Sequence, residues 1–372
     1  MDETRLSPLQ RRRRRETRLR YRRPGFLMQA ALLACLVLGP LVMPSLRTMD
    51  VVVKIMVFAV AVASFDIILG YTGIISFAHG MFFGLGAYSV ALVCHHSGNP
   101  QYQHLLLAGL VAVALSAGVA LVIAAFSLRV KAIFLAMMTL AVAEFAHILG
   151  YQWSALTLGE DGVSFAMPGL FNPNWSAGQF LGMQINGRLM VYYLVLVVSV
   201  LLFLGVVRFV RSPVGRVLKA IRDNEQRATA LGFKVFHYRI LSTVFGSVVS
   251  SLAGVLFAMW LSYVNPDTVL GTPLMLNILL MVIIGGLGTV YGGVVGAAFI
   301  TITETWLPDL LKAGVGLLPR VEILQRLADR WVLFFGLAYV LVVLFFPRGV
   351  VGTAREWAAR RPARADLRQG KP

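Results

Sequence analysis

The stretch RSPVGRVLKAIRDNEQRATALG, Arg211 to Gly232, decides how this chain is laid out. Between Arg208 and Arg239 stand eight basic residues (Arg208, Arg211, Arg216, Lys219, Arg222, Arg227, Lys234 and Arg239) against only Asp223 and Glu225. A segment so charged does not lie in hydrocarbon, yet long apolar runs flank it on both sides, so it hangs in water between two membrane spans. It is patterned as a folded element. Ser212-Pro213 reads as N-cap and first helical residue, and Val214, Val217, Leu218 and Ile221 follow at helical spacing. Asp223-Asn224 interrupts the pattern and caps a second short helix, which Gly232 ends. Two short helices, one with an apolar stripe, suit docking to a soluble partner. The competing reading is a solvated basic loop held by lipid headgroups.

Of the 372 residues, 58% are hydrophobic and 14% charged, where a soluble domain carries about a quarter charged. The expected fold class is an all-α polytopic membrane protein. The formal charge of +17 raises the question of nucleic acid, but its placement excludes that role. Residues 1–25 carry ten basic and three acidic residues, and residues 347–372 carry seven and two. With the central loop, these pieces account for all of the positive excess. Charge confined to tails and one loop marks all three as cytoplasmic. The chain then divides into a basic tail (1–25), a transmembrane domain (26–346) containing the loop 208–236, and a second basic tail (347–372). Cys35 and Cys94 stand alone in apolar surroundings, which fits neither a disulfide nor a metal site.

Spans are expected at Phe26 to Ser45 (uncleaved), Val51 to Gly70, Met81 to Cys94, His104 to Phe126, Ala132 to Gly150, Leu189 to Val207 and His237 to Leu261. Arg129 and Lys131 mark a short cytoplasmic turn, and the loop from Tyr151 to Arg188, with few charges, belongs outside. The small-residue string Gly70 to Gly80 breaks a helix, and such breaks line polar paths or pack against protein. The apolar stretch Leu274 to Ile302 is bent at Gly285 to Gly293 into two short spans, which with a last span at Trp331 to Phe346 gives about ten crossings and cytoplasmic termini. Leu310 to Arg330 is expected to be a separate outer interfacial helix.

Three strings carry a specific resemblance: GYTGIISFAHGMFFGLGAY (Gly70 to Tyr88), RSPVGRVLKAIRDNEQRATALGFK (Arg211 to Lys234) and LLMVIIGGLGTVYGGVVGAA (Leu279 to Ala298). Together with Phe346-Pro-Arg-Gly-Val350, they resemble the LivM-type permease subunit of branched-chain amino acid ABC importers, over roughly residues 50 to 352. The resemblance implies a second LivH-like permease, two ABC ATPase subunits, an extracytoplasmic substrate-binding protein, and the inner (plasma) membrane of a prokaryote. It also implies that Arg216, Ala220, Ile221, Arg222, Asp223, Glu225, Ala228 and Gly232 couple to the ATPase, with Ala220 and Ile221 as an apolar knob and the charges setting orientation. No Walker-type G-x-x-x-x-G-K-[ST] occurs, so ATP and magnesium belong to the partner subunits and this chain needs no cofactor or catalytic residue. The sequence departs from the family pattern at Asp66 (commonly Asn), Ile74 (often Gln), Ala78 (commonly Gly) and Leu158 (usually Gly). These departures leave urea, short amides and other amino acids as alternative cargoes.

Asp66, His79, Glu144 and His147 are the ionisable residues placed within spans, where such groups are functional candidates by default. Ser76, His79 and Gly80 in the broken helix are pathway candidates. Glu144 is another. Glu144 and His147, three apart on one helix face, read as a structural pair, a proton relay or a cavity contact. An ion-coupled secondary transporter is the alternative class, but it needs no docking loop and favours clustered midplane charges. An intramembrane protease would want Gly-x-Ser-Gly or paired aspartates in spans, and neither is present.

Overall fold

Eight helices among the described residues are long and apolar enough to cross a membrane. Runs of about twenty apolar residues match the hydrocarbon thickness, and a helix satisfies its own backbone there. The structure, a computed structural model, describes residues 36–37, 39, 45–127, 132–173, 175–180, 183–316, 330–346 and 349–353. Apart from a single helical turn at Ser154–Thr157, the α-helices in chain order are α1 (Leu46–Asp66), α2 (His79–His96), α3 (Tyr102–Ser127), α4 (Ala132–Gln152), α5 (Gly187–Arg211), α6 (Pro213–Asp223), α7 (Glu225–Ala230), α8 (Val235–Leu261), α9 (Pro266–Val269), α10 (Thr272–Gly285), α11 (Val290–Gly316) and α12 (Trp331–Phe345). The chain is thus an all-α polytopic membrane protein. The expected first span and the turn at Arg129 and Lys131 lie almost wholly outside the described residues. Where the first span is described, the Leu36 and Val37 carbonyls accept from the hydroxyls of Tyr192 and Tyr193 on α5 at 2.7 and 3.2 Å.

The core is organised on α2, which packs against α8 and α3. Phe58 of α1, Phe83 of α2 and Phe257 of α8 meet in one aromatic cluster, with ring centroids 5.4–5.9 Å apart. The α2–α8 crossing is close because both helices present glycine. A Cβ on Gly86 would land on the Ser251 backbone, and one on Gly254 would land on the Phe83 carbonyl. Small residues at such crossings bring backbones together where no hydrophobic drive separates helix from lipid. A second packing layer sets α11 against α1 and α10. There Gly285 and Gly292 face one another without room for a side chain, and Gly293 abuts Val62 and Ala63. By contrast α3, α4 and α12 turn Leu106, Leu110, Phe126, Ile133, Phe145 and Leu344 outward, as helices facing lipid or another subunit do.

The bend expected near Gly285 is present: α10 ends at Gly285 and α11 begins at Val290. The separate interfacial helix expected over Leu310 to Arg330 does not begin at Leu310. Leu310 to Gly316 continue α11 past Pro308, and residues 317–329 lie outside the described residues. Membrane helices tolerate an internal proline when neighbouring groups support the turn. Here Arg47 donates to the Thr305 carbonyl at 2.8 Å and pairs with Asp309 at 2.5 Å.

The loop between α4 and α5 carries short strands. β1 (Val163–Ser164) pairs antiparallel with β4 (Tyr263–Val264), in the register Val163 to Val264, and β2 (Ser176–Phe180) forms a hairpin with β3 (Met183–Asn186). Leu158, at the start of this loop, sits at φ +56°, a left-handed conformation that strains an L side chain. Its side chain is 43% exposed and so gains little from burial. Replacing Leu158 by glycine is therefore expected to stabilise the chain by about 0.5–1 kcal/mol, read as a higher thermal unfolding midpoint in detergent.

Candidate functional site

The basic loop folds as its capping residues predict. The Ser212 Oγ accepts from the Gly215 N–H at 3.4 Å, with Pro213 as the first residue of α6. The Asn224 Oδ1 accepts from the Arg227 N–H at 2.9 Å and so starts α7. Gly232, at φ +86°, closes α7 with a Schellman ending, in which the Gly232 and Phe233 N–H groups donate to the Thr229 and Ala228 carbonyls at 2.9 and 3.2 Å.

The apolar stripe of α6 faces inward. Leu218 joins the main core. Ile221 is 2% exposed and forms a small cluster with Ala228, Val235, Val217 and Tyr238. Ile221 is thus not a projecting knob, which corrects the expectation for it. The reason is physical: α6 has 11 residues, too few to hold its shape alone, and gains its stability by burying that stripe. Ala220 lies on the opposite, exposed face with Arg216 and Asp223. Glu225 pairs with Arg239 at 2.8 Å and ties α7 to the base of α8.

Arg222 reaches toward the membrane spans. Its Nη1 donates to the Gly70 carbonyl in the helix break after α1, where the backbone runs as a π-turn over Ile67–Tyr71. The second break lies against the same point. The Gly288 N–H donates to Asp66 Oδ1 at 2.7 Å, and a Cβ on Gly288 would stand 3.0 Å from Arg222 Nη1. A Cβ on Gly70 would fall on both Asp66 Oδ1 and the Gly288 nitrogen. Asp66 itself is 2% exposed. Lys219 adds a second tie, with its Nζ 4.8 Å from the centre of the Tyr71 ring. Alongside lies a cavity of about 300 Å³, bordered by Tyr71, Arg211, Lys219, Thr289 and Tyr291 among others.

The remaining candidates are placed apart from this node. His79 is buried between α1 and α8. Its Nε2 lies 2.9 Å from Ser64 Oγ and 3.2 Å from the Ala61 carbonyl, and Phe65 packs against its ring. Ser250 Oγ donates to the His79 carbonyl at 3.3 Å. Gly80 packs on Met275, its N–H 3.2 Å from the sulfur. Ser76 is buried in the connection between α1 and α2. Glu144 accepts from the Thr272 hydroxyl. His147 Nε2 meets Asp267 Oδ1 at 2.9 Å, while its Nδ1 lies 3.8 Å from Glu144. These groups tie α4 to α9 and α10.

A family model described as "Branched-chain amino acid transport system / permease component" matches residues 47–347. The chain belongs to that family. It is similar to the high-affinity branched-chain amino acid transport system permease protein LivM of Salmonella typhimurium (strain LT2), with 27% identity over 316 residues, or 81% of this chain and 72% of the relative. LivM of Escherichia coli (strain K12) is likewise 27% identical over 315 residues, covering 81% and 73%. The permease protein LivH of Escherichia coli (strain K12) is 24% identical over 316 residues, covering 79% and 91%. No solved structure matches the chain.

Within this permease the loop helices and their caps follow from local sequence. The node that receives Arg222 does not. Asp66 stands out in sequence as an ionisable residue within a span, but its partner is a backbone N–H, and glycine at position 288 gives no side-chain signal of that pairing. The density of glycine in both breaks was the only available hint.

Proposed function

We propose that this chain is a permease subunit of an ATP-driven importer of branched-chain amino acids, set in the inner membrane of a prokaryote with the basic loop and both termini in the cytoplasm. The carrying observation is α6: its apolar side is already buried, while Arg216, Ala220 and Asp223 face solvent on a helix pinned at both ends. A rigid, exposed helix with mixed charges around one small residue fits a groove on a soluble partner, with alanine allowing close approach and the charges fixing orientation. Two ABC ATPases fill that role in this reading, since the chain has no phosphate-binding loop of its own. Similarity to relatives named both LivM and LivH supports a pathway built between two permeases of like fold. A substrate-binding protein outside supplies selectivity.

The reading is tested by purifying the chain with its neighbours and measuring uptake into vesicles. Leucine, isoleucine and valine are expected to compete for uptake, and urea is not. Ala220→Trp is expected to lower ATPase recovery about tenfold, equivalent to about 1.4 kcal/mol, without changing the chain's own thermal stability. If no ATPase accompanies the parent chain and the Ala220 variant transports normally, the importer reading fails.

A further inference from the structure

We infer that Asp66, Gly70, Arg222 and Gly288 form a strut that carries movement of α6 into both helix breaks at once, with Asp66 as its positioning residue; this rests on the importer reading above. The strut grips main chain. Arg222 holds the Gly70 carbonyl, and Asp66 holds the Gly288 N–H at 2.7 Å. Displacing the end of α6 therefore displaces backbone at the two points where the membrane helices are already interrupted. A π-turn and a tight glycine turn yield before continuous helix does. The guanidinium is a planar fork, so its pull has direction, unlike a greasy contact that slides.

The packing leaves the strut no slack. A side chain at Gly70 would sit in the Asp66–Gly288 bond, and one at Gly288 would press on Arg222. On the side bordered by the cavity of about 300 Å³, the contact from α6 is the Lys219 ammonium over the Tyr71 ring, a tie to the same break at Ile67–Tyr71. Asp66 needs only an acceptor oxygen for this task. Asparagine keeps one and leucine does not.

The test measures amino acid uptake and ATP hydrolysis together in the full complex reconstituted in vesicles. Asp66→Leu is expected to lower uptake about tenfold relative to hydrolysis, while Asp66→Asn stays within about twofold of the parent. Arg222→Cys is expected to uncouple in the same way. Gly73→Cys is then added, in a background where Cys35 and Cys94 are serine. A Cβ at Gly73 lies 3.9 Å from Arg222 Cβ, inside the range of about 3.5–4.5 Å that a disulfide spans. Because Gly73 sits at φ +76°, where an L side chain is strained, Gly73→Cys alone in the same background is carried as the control and the double variant is scored against it. Oxidation is expected to replace the strut covalently and restore uptake, and reduction to abolish the gain, which separates lost coupling from misfolding. Full uptake by Asp66→Leu, or an oxidised double variant no better than its reduced form, overturns the strut. Absence of ATPase from the parent complex overturns the importer reading instead.

Discussion

Replacing Gly254 by leucine is expected to prevent the chain from reaching a stable fold, with little full-length protein recovered from the membrane. The Cβ alone would land on the Phe83 carbonyl of α2, and a carbonyl in mid-helix cannot rotate away as a side-chain tip can. The two helices must separate, and α2 is the element around which α3 and α8 are packed. Overpacking typically costs about 1–3 kcal/mol. A forced backbone separation at the centre of the molecule belongs at or above the upper end, a large share of a stability of roughly 5–15 kcal/mol. Gly109 supplies the control. Nothing lies within 4 Å of its Cβ position, so Gly109→Leu should leave monodispersity in detergent and the unfolding midpoint of the isolated chain nearly unchanged. Equal recovery of both variants would remove the close crossing from the account of the fold.

Ile221→Asp is expected to release the loop while leaving the spans folded. Ile221 closes the small cluster with Ala228 and Val235. Losing a buried aliphatic side chain costs about 2–5 kcal/mol, and an unpaired carboxylate placed there adds to that. The penalty exceeds what an 11-residue and a 6-residue helix hold by themselves. Limited proteolysis should therefore cut between Arg211 and Lys234 in the variant and spare the parent, and ATPase recovery should fall with it. Ile221→Val should behave as the parent. Resistance of Ile221→Asp to proteolysis would mean that the stripe is not what holds α6 down.

The contrast between Ile221 and Ala220 marks what was legible in the sequence. Spacing identified the apolar face of α6, because helical period is a local property. It did not say whether that face meets the protein's own base or another subunit, since both are apolar. Caps were legible for the same local reason: Ser212, Asn224 and Gly232 each act on backbone within a few residues. At Glu144 and His147 the three-residue spacing suggested a pair, but Asp267, 120 residues away, takes the closer position on the imidazole at 2.9 Å. The bend between α10 and α11 was legible from glycine density, whereas the continuation of α11 past Pro308 was not, because it draws support from Arg47 at the far end of the described chain. Distant partners leave little trace in a local pattern, and that is where expectation and structure part.

The bond between Asp66 and Gly288 spans 222 positions of sequence, and this bears on how the chain is made. During synthesis α1 emerges and enters the bilayer long before α10 and α11 exist, so its carboxylate waits without the amide that later holds it. A polar group kept waiting in an apolar setting is costly, so the early intermediate is expected to be less stable than the finished chain. Truncation before residue 288 should shorten the lifetime of the nascent product, and Asp66→Leu should lengthen it, a reversal of that variant's effect on the finished transporter.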